Sequence, residues 1–336
     1  MSENFDIPVV LFIFKRYDKS LQIISRIAEV KPSKIYLISD AGRNEEEHAE
    51  VIKCRCAVES SITWNCEIIK DYAEENKGCY ERIGLGALRV FEKEEIAIFL
   101  EDDNLPEVSF FYYCRELLEK YKNNNKVIWI CGTNYLEKCN FQCDTDYGFT
   151  QHMLPCGWAS WSEKFSQYYD KDFSLYTPEA KAYLKKHYYS RRLFKKDSKN
   201  WEQELSFIKN KGRFASWDYQ MCFSLRIHDK LGIVPKYNQI KNIGVDSAAA
   251  HGGSTYNSVM TQRFCGMNSL PLSFPLKHPE RVEIDPVIEK ELEKIEIPPV
   301  EVHPVWTLYK MTRKILRIPE NVSIKTYLAM KRYGKK

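Results

Sequence analysis

The sequence predicts an α/β chain built on a mostly parallel, doubly wound central sheet flanked by helices. Three observations predict it. Short apolar, β-branched runs alternate with stretches of helical spacing over the first 134 residues. Charged residues stand just past the ends of those runs: Arg16, Asp40 and the triplet Glu101-Asp102-Asp103. The chain has 336 residues, 44% of them hydrophobic, enough to bury a large core.

Taken in order, "PVVLFIF" (8–14) reads as a buried strand. "DKSLQIISRIAEV" follows with Leu21, Ile24, Ile27 and Ala28 on one helical face, and Asp18 or Ser20 is placed to cap it. "KIYLISD" (34–40) is a second strand, "EEEHAEVIKCRCAVES" a second helix and "CEIIKDY" (66–72) a third strand. "CYERIGLGALRVFEKE" is a third helix and "IAIFLEDD" the fourth strand. "SFFYYCRELLEKY" and "VIWICGTN" add a helix and a strand. From 135 to 270 the pattern loosens into short elements rich in aromatic and polar residues, and 270–286 is a Pro-rich surface strap. The expected division is a regular α/β half (1–134), a second half of the same domain (135–270), and a C-terminal strap with a basic amphipathic helix (271–336). In open sheets of this kind ligands bind beyond the carboxyl ends of the strands, so Arg16, Asp40 and the acidic triplet belong on one rim.

Composition excludes some classes. Fifty Lys and Arg against 46 Asp and Glu leave a net charge of only +4, so no nucleic-acid partner is expected. Aromatics at 13% suit either sugar-facing surfaces or a Tyr-rich core. Eleven cysteines, with no leader-like start and no apolar stretch long enough to span a bilayer, predict a reducing, cytoplasmic setting with mostly free thiols. Cys54 and Cys56, or Cys139 and Cys143, lack a second pair at zinc-finger spacing.

Three adjacent carboxylates repel one another and need a positive partner. In a strand, Glu101 and Asp103 would face one side and Asp102 the other. Carboxylates at a sheet rim are hard oxygen ligands suited to Mg²⁺ or Mn²⁺, which takes one or two of them plus phosphate oxygens. The alternative is a solvated acidic turn capping the helix at "PEVSFF".

Several ordered motifs resemble one family. "PVVLFIFKR", "KIYLISDAGR", "NKGCYERIGLGALRVFEKEEIAIFLEDD", "GWASW", "WDYQM" and "VPKYNQIKNIG…HGG" occur in the order found in GT-A fold, nucleotide-sugar glycosyltransferases. The likeness is to the N-acetylglucosaminyltransferase I type and its bacterial relatives, and runs from about residue 7 to 255. It implies that Asp40 accepts from the nucleobase and that Arg16 lies near base and phosphates. Asn76, Lys77, Gly78 and Arg82 would line the nucleoside side. Asp102 would bond the ribose, Asp103 would ligate the metal, and Glu101 would support the site or touch the donor sugar. Animal members carry a His where this chain has Ile83, so that donor contact is missing or replaced. Asp218, in the "WD" segment, is the expected general base, although the animal base stands at the place of Tyr219. A helix N-cap is its alternative role, and Glu202 and Glu204 are reserves. Trp158 is expected to form a wall under a sugar, with Trp161 in the core. His251 is expected to reach the metal or phosphates, with a free loop histidine as the alternative.

The segment 305–336 places Trp306, Leu308, Met311, Ile315 and Leu316 on one helical face and Lys310, Arg313, Lys314 and Arg317 opposite. That pattern predicts peripheral contact with an anionic membrane surface, or else a helix packed on the body with a solvated basic face. The resulting expectation is a metal-dependent inverting glycosyltransferase using Mn²⁺ or Mg²⁺. It would move a sugar from a UDP-linked donor to a hydroxyl of a glycan or lipid-linked glycan, in bacterial surface polysaccharide synthesis. The rivals are a sugar-nucleotide nucleotidyltransferase and a non-catalytic protein that holds a nucleotide or glycan. The first is disfavoured by "KRYDKS" after the first strand, where such enzymes carry a glycine-rich loop.

Overall fold

The computed structural model describes residues 5–141, 144–245 and 259–297, together with 311–313, 315–318, 327 and 331. Residues 1–297 form one compact unit and 298–336 a second.

The first unit is an α/β fold on an eight-stranded sheet. Its parallel half is made by β1 (Val9–Ile13), β2 (Lys34–Ser39), β3 (Glu67–Tyr72) and β4 (Ile96–Glu101), in the order β3-β2-β1-β4. Every residue of β1 is buried, which is why its five side chains are apolar without alternation. The connecting helices are α1 (Tyr17–Val30) and α2 (Glu45–Ser61). α2 is capped by the Asn44 side chain, which accepts from Glu47 N–H. The cap foreseen for α1 is absent: Arg16 occupies the N-cap, and the Ser20 hydroxyl donates back to the Arg16 carbonyl. The third expected helix divides into a wide π turn (Tyr80–Leu85) and α3 (Gly86–Phe91).

Beyond β4 come a short strand β5 (Asn104–Pro106), α4 (Val108–Tyr121), β6 (Val127–Cys131), β7 (Tyr147–Thr150) and β8 (Trp158–Trp161). β8 runs antiparallel between β4 and β6, pairing Phe99 with Trp158 and Ile130 with Ala159. Helices α5 (Ser162–Tyr168), α6 (Pro178–His187), α7 (Arg191–Lys211) and α8 (Asp218–Ile227) follow, then β9 (Leu231–Pro235) and β10 (Ile240–Asn242). β9 is parallel to β6 and antiparallel to β7, which forms the far edge. β10 leaves the main sheet and pairs antiparallel with β5, Asn242 opposite Asn104.

Helices α9 (Val259–Phe264) and α10 (Pro286–Glu296) complete the unit. The strap before α10 lies over α4 and β7: Leu272 N–H reaches Ser109 Oγ, and Asp285 N–H reaches the Phe149 carbonyl. A buried polar network fastens α10. His152 sits between Glu296, 2.6 Å from Nδ1, and the Glu289 carbonyl, 3.0 Å from Nε2. Glu289 also accepts from Thr150 and Arg226, and Glu296 from Lys196. No helix among the described residues is long and apolar enough to cross a membrane. In the second unit Met311 and Ile315 are exposed on a helical stretch, while Trp306, Leu308 and Lys310 lie outside the described residues.

Candidate active site

Parallel strands bring their carboxyl ends to one rim, and that rim gathers Arg16 from beyond β1, Asp40 from beyond β2 and the triplet from the end of β4. The positive partner that the triplet requires is protein-derived. Arg16 Nη2 lies 2.5 Å from Asp102 Oδ1 and 3.0 Å from Asp103 Oδ2. The two aspartates therefore converge on one nitrogen instead of facing opposite sides, because the chain leaves strand geometry at Asp102. Asp102 is buried and also accepts from Phe14 N–H at 3.3 Å. Burial pushes its carboxyl up to about 6, against the pull of Arg16. Burial likewise raises Glu101 well above the usual range, reinforced by Asp103, Asp102 and Asp218 and only partly opposed by Arg16. The triplet does not cap α4, whose N-cap, Glu107, makes no side-chain cap bond.

Asn104 fixes the turn. Its amide donates to Asp103 Oδ1 at 2.7 Å, and its carbonyl accepts from Gly157 N–H at 2.8 Å. The β5–β10 pair then lays residues 243–244 over Asp103. Ile243 N–H donates to the Asp103 carbonyl at 2.9 Å. A Cβ on Gly244 would stand 2.3 Å from Asp103 Oδ2 and 2.9 Å from Arg16 Nη1, so a larger residue there would have to displace the Asp103 carboxylate and Arg16.

Asp40 has a different place from the one expected of it. Its Oδ1 accepts from Ala41 N–H (2.9 Å) and Lys77 N–H (2.8 Å). Its Oδ2 accepts from Gly78 N–H (2.8 Å) and Asn76 Nδ2 (3.1 Å). A carboxylate has about four lone-pair positions, and these four donors use them. Asp40 thus anchors the 76–78 loop, with Gly78 at φ +85°. The Lys77 ammonium points to Glu75 at the surface. Arg82 is buried against Asp71, which also takes Arg89. Ile83 belongs to the core.

Asp218 opens α8 as its first helical residue, with Trp217 at the N-cap, and its carboxylate accepts from the Ser216 hydroxyl. Asp218 contributes to the raised Glu101 and so belongs to the same electrostatic group. Glu204 is buried and accepts from Ala215 and Ser216 N–H at 2.8 and 3.2 Å, holding the turn that presents Asp218. Glu202 is on the surface, paired with Lys181.

Trp158 requires correction. It is 1% exposed and stacked between Phe99 at 3.9 Å and Trp129 at 4.3 Å, so neither ring face is open to a sugar. Trp161 is also buried, its Nε1 donating to the Leu118 carbonyl. His251 lies outside the described residues. Two thiols that the sequence reading did not single out, Cys79 and Cys156, stand near Glu101 and Asp103, and burial raises both well above the ordinary thiol range. Ten cysteines are free among the described residues.

Among the described residues no three His, Cys, Asp or Glu side chains group as a metal cage. Asp103 instead offers a single carboxylate beside a Glu101 whose acidity burial, and then its acidic neighbours, suppress. That donor set fits Mg²⁺ or Mn²⁺ completed by ligand oxygens and does not fit an all-protein site.

No protein-family model matches the sequence, and no curated protein matches it. Several solved structures share part of the fold. One is an apo UDP-glucose pyrophosphorylase: TM-score 0.36, 10% identity, 69% of this chain and 91% of that one. A UDP-glucose pyrophosphorylase complexed with UDP-glucose gives TM-score 0.34 and 12% identity over 69% and 91%. Mouse xyloside xylosyltransferase 1 in its apo form gives TM-score 0.32 and 10% identity over 68% and 84%. Overlaps of this extent carry no weight for activity, which must be argued from the rim itself.

Proposed function

We propose that the rim is the active site of a metal-dependent inverting glycosyltransferase with a nucleotide-diphosphate sugar, expected to be UDP-linked, as donor. The observation that carries this reading is the joining of Arg16, Asp102 and Asp103 at the carboxyl end of β4, with Asp218 on α8 in the same electrostatic group. The ordered motifs of the sequence support it.

Each residue then has a task. The Asp40-anchored loop, 76–78, forms the nucleoside side through its backbone. Asp102, kept in place by Arg16 and Phe14 N–H, is offered to the ribose. Asp103 would hold Mn²⁺ or Mg²⁺, which when bound supplies Lewis-acid stabilisation to the departing diphosphate. Arg16 sets fixed positive charge at the same place. Asp218 takes the proton of the acceptor hydroxyl as that oxygen bonds to the anomeric carbon and the carbon–diphosphate bond breaks. One such displacement inverts the anomeric centre. The acceptor is a glycan or lipid-linked glycan of a bacterial surface polysaccharide.

The test is nucleotide release from UDP-, GDP- and dTDP-sugars, with Mn²⁺, with EDTA, and in Asp103→Ala and Asp218→Ala variants. Metal-dependent turnover of one donor, lost in Asp103→Ala, is the expected result. Formation of pyrophosphate from a nucleoside triphosphate and a sugar 1-phosphate would move the assignment to a nucleotidyltransferase. Nucleotide binding indifferent to EDTA, with no turnover, would move it to a binding protein.

A further inference from the structure

Charge is unevenly distributed along this chain. Residues 178–213, the helices α6 and α7 with their three-residue connection and the turn after them, hold eleven Lys and Arg against four Asp and Glu. That is a formal +7, in a chain whose total is +4, so the remainder is net acidic. The acids of this segment offset only part of the surface charge, Glu179 being the exposed one without a lysine partner among the described residues. Asp197 and Glu204 are buried, and Glu202 already holds Lys181. Lys185, Lys186, Arg191, Arg192 and Lys195 are exposed, and none has an ion-pair partner among the described residues. Arg213, equally exposed, ends the segment with Nη1 3.6 Å from where a Gly78 Cβ would be. Lys209, Lys211 and Arg213 stand apart from the cluster at 185–199, because residues 200–208 of α7 carry no Lys or Arg.

Beside these helices is a partly open cavity of about 160 Å³, close to the volume of one monosaccharide. Its walls combine rings with polar groups: Tyr183 and His187 stacked at 4.0 Å, Tyr188, Gln151, Arg226 and Asp229. Tyr183 is 46% exposed, leaving an aromatic face for sugar C–H groups. The cavity lies at the end of α8 remote from Asp218, and most of α8 between them is buried.

We propose that α6, the start of α7 and this cavity form a binding site for an anionic glycan, a chain bearing carboxylate or phosphate groups. This deepens the transferase reading and rests on it for the identity of the chain as acceptor. The cavity receives one sugar unit, and the basic surface holds the charges around it.

The test is direct binding of hexagalacturonate to the full chain, with maltohexaose as the neutral control. Polyphosphate and vesicles of phosphatidylcholine with phosphatidylglycerol serve as anions without sugar. Hexagalacturonate is expected to bind at least about tenfold tighter than maltohexaose. It should weaken by about tenfold in Lys185→Glu/Lys186→Glu/Arg191→Glu/Arg192→Glu. Tyr183→Ala should weaken hexagalacturonate and leave polyphosphate unchanged. Equal binding of the two oligosaccharides, or indifference to the charge reversals, overturns the proposal. So does binding to the vesicles without binding to hexagalacturonate. UDP binding is measured on the same proteins. Its retention in the reversed variant shows that the fold and rim are intact. Its absence from every form removes the donor reading while leaving the site to stand on the glycan result.

Discussion

Asp40 is the residue whose removal separates anchoring from chemistry. Its carboxylate collects three backbone N–H groups and one side-chain amide, all at 2.8–3.1 Å. A hydrogen bond to a charged group contributes about 1.5–3 kcal/mol net, and a half-exposed site that water can enter stands at or below the low end. Four such bonds share one loop and are not additive, so Asp40→Ala should cost about 3 kcal/mol in local stability. Each 1.4 kcal/mol is a factor of ten, so the amides of Lys77 and Gly78 should exchange about a hundredfold faster. Asp40→Asn keeps one oxygen and turns two donors towards an amide, so its effect should be intermediate. Hydrogen exchange followed by mass spectrometry on a peptide covering 73–80 reads this directly. With a donor identified, KM for it should rise while kcat at saturation stays close to wild type. Unchanged exchange in Asp40→Ala would show that the loop is ordered by something else and would refute the reasoning. A large fall in kcat at unchanged KM would place Asp40 in the chemistry.

Other consequences can be checked with single variants. Asp218→Asn should lower kcat by about a hundred- to ten-thousandfold while donor binding by calorimetry is unaffected. Gly244→Ala sets a methyl against Asp103 and Arg16. It should cost about 1–3 kcal/mol locally and appear as weaker metal-dependent nucleotide binding. Trp158→Ala removes a ring stacked on both faces and should cost about 3–5 kcal/mol of stability in a denaturant titration, with no specific change in KM. His152 has a pH signature. Burial opposes its charge, but Glu296 and Glu289 outweigh burial and raise its pKa above the ordinary imidazole value. The folded state therefore holds the proton more tightly than the unfolded state. The stabilisation is full in mild acid and is lost as pH rises through the raised value. Comparing denaturant midpoints of wild type and His152→Gln from pH 5 to 9 should show the wild-type advantage shrinking towards alkaline pH.

The strands β1, β2 and β4 could be read in the sequence because each is a short apolar run followed by a polar break, a local signal, and β3 followed from the alternation of strands and helices around it. β6 was legible in the same way, from "VIWICGTN", but the other strands after β4 were not. β8 is "WASW", two large rings and two small residues, and nothing local says that it enters antiparallel between β4 and β6. The 135–270 region is joined largely by buried amides, as where Asn134 N–H bonds Asn238 and Gln239 bonds both Ser109 and Leu270. Such bonds leave no hydrophobic period to detect. At the rim the residue types were legible and the pairings were not. The triplet called for a positive charge, but that Arg16 supplies one is a contact across 86 residues of sequence. Asp40 was read as a ligand group because an acid after a strand usually looks like one, and its four donors emerge only once residues 76–78 fold back. Trp158 was misplaced because a tryptophan beside glycine has the same spelling in a core as in a binding wall. Gly244 had no signal of its own, since the crowding there comes from an approach made by β10.

The two borders of the eight-stranded sheet differ in what they would offer a second copy of the chain. β3 is partly exposed and carries Glu67, Lys70 and Asp71, charges that discourage another strand from adding to it. β7 is wholly buried and carries no charge; the Asp285 N–H bond occupies the Phe149 carbonyl, and α10 is seated on the Thr150 hydroxyl through Glu289. A chain shortened before Ile284 would bare that border. Its defect should be concentration-dependent self-association through β7, visible by light scattering at protein levels where the intact chain stays dispersed.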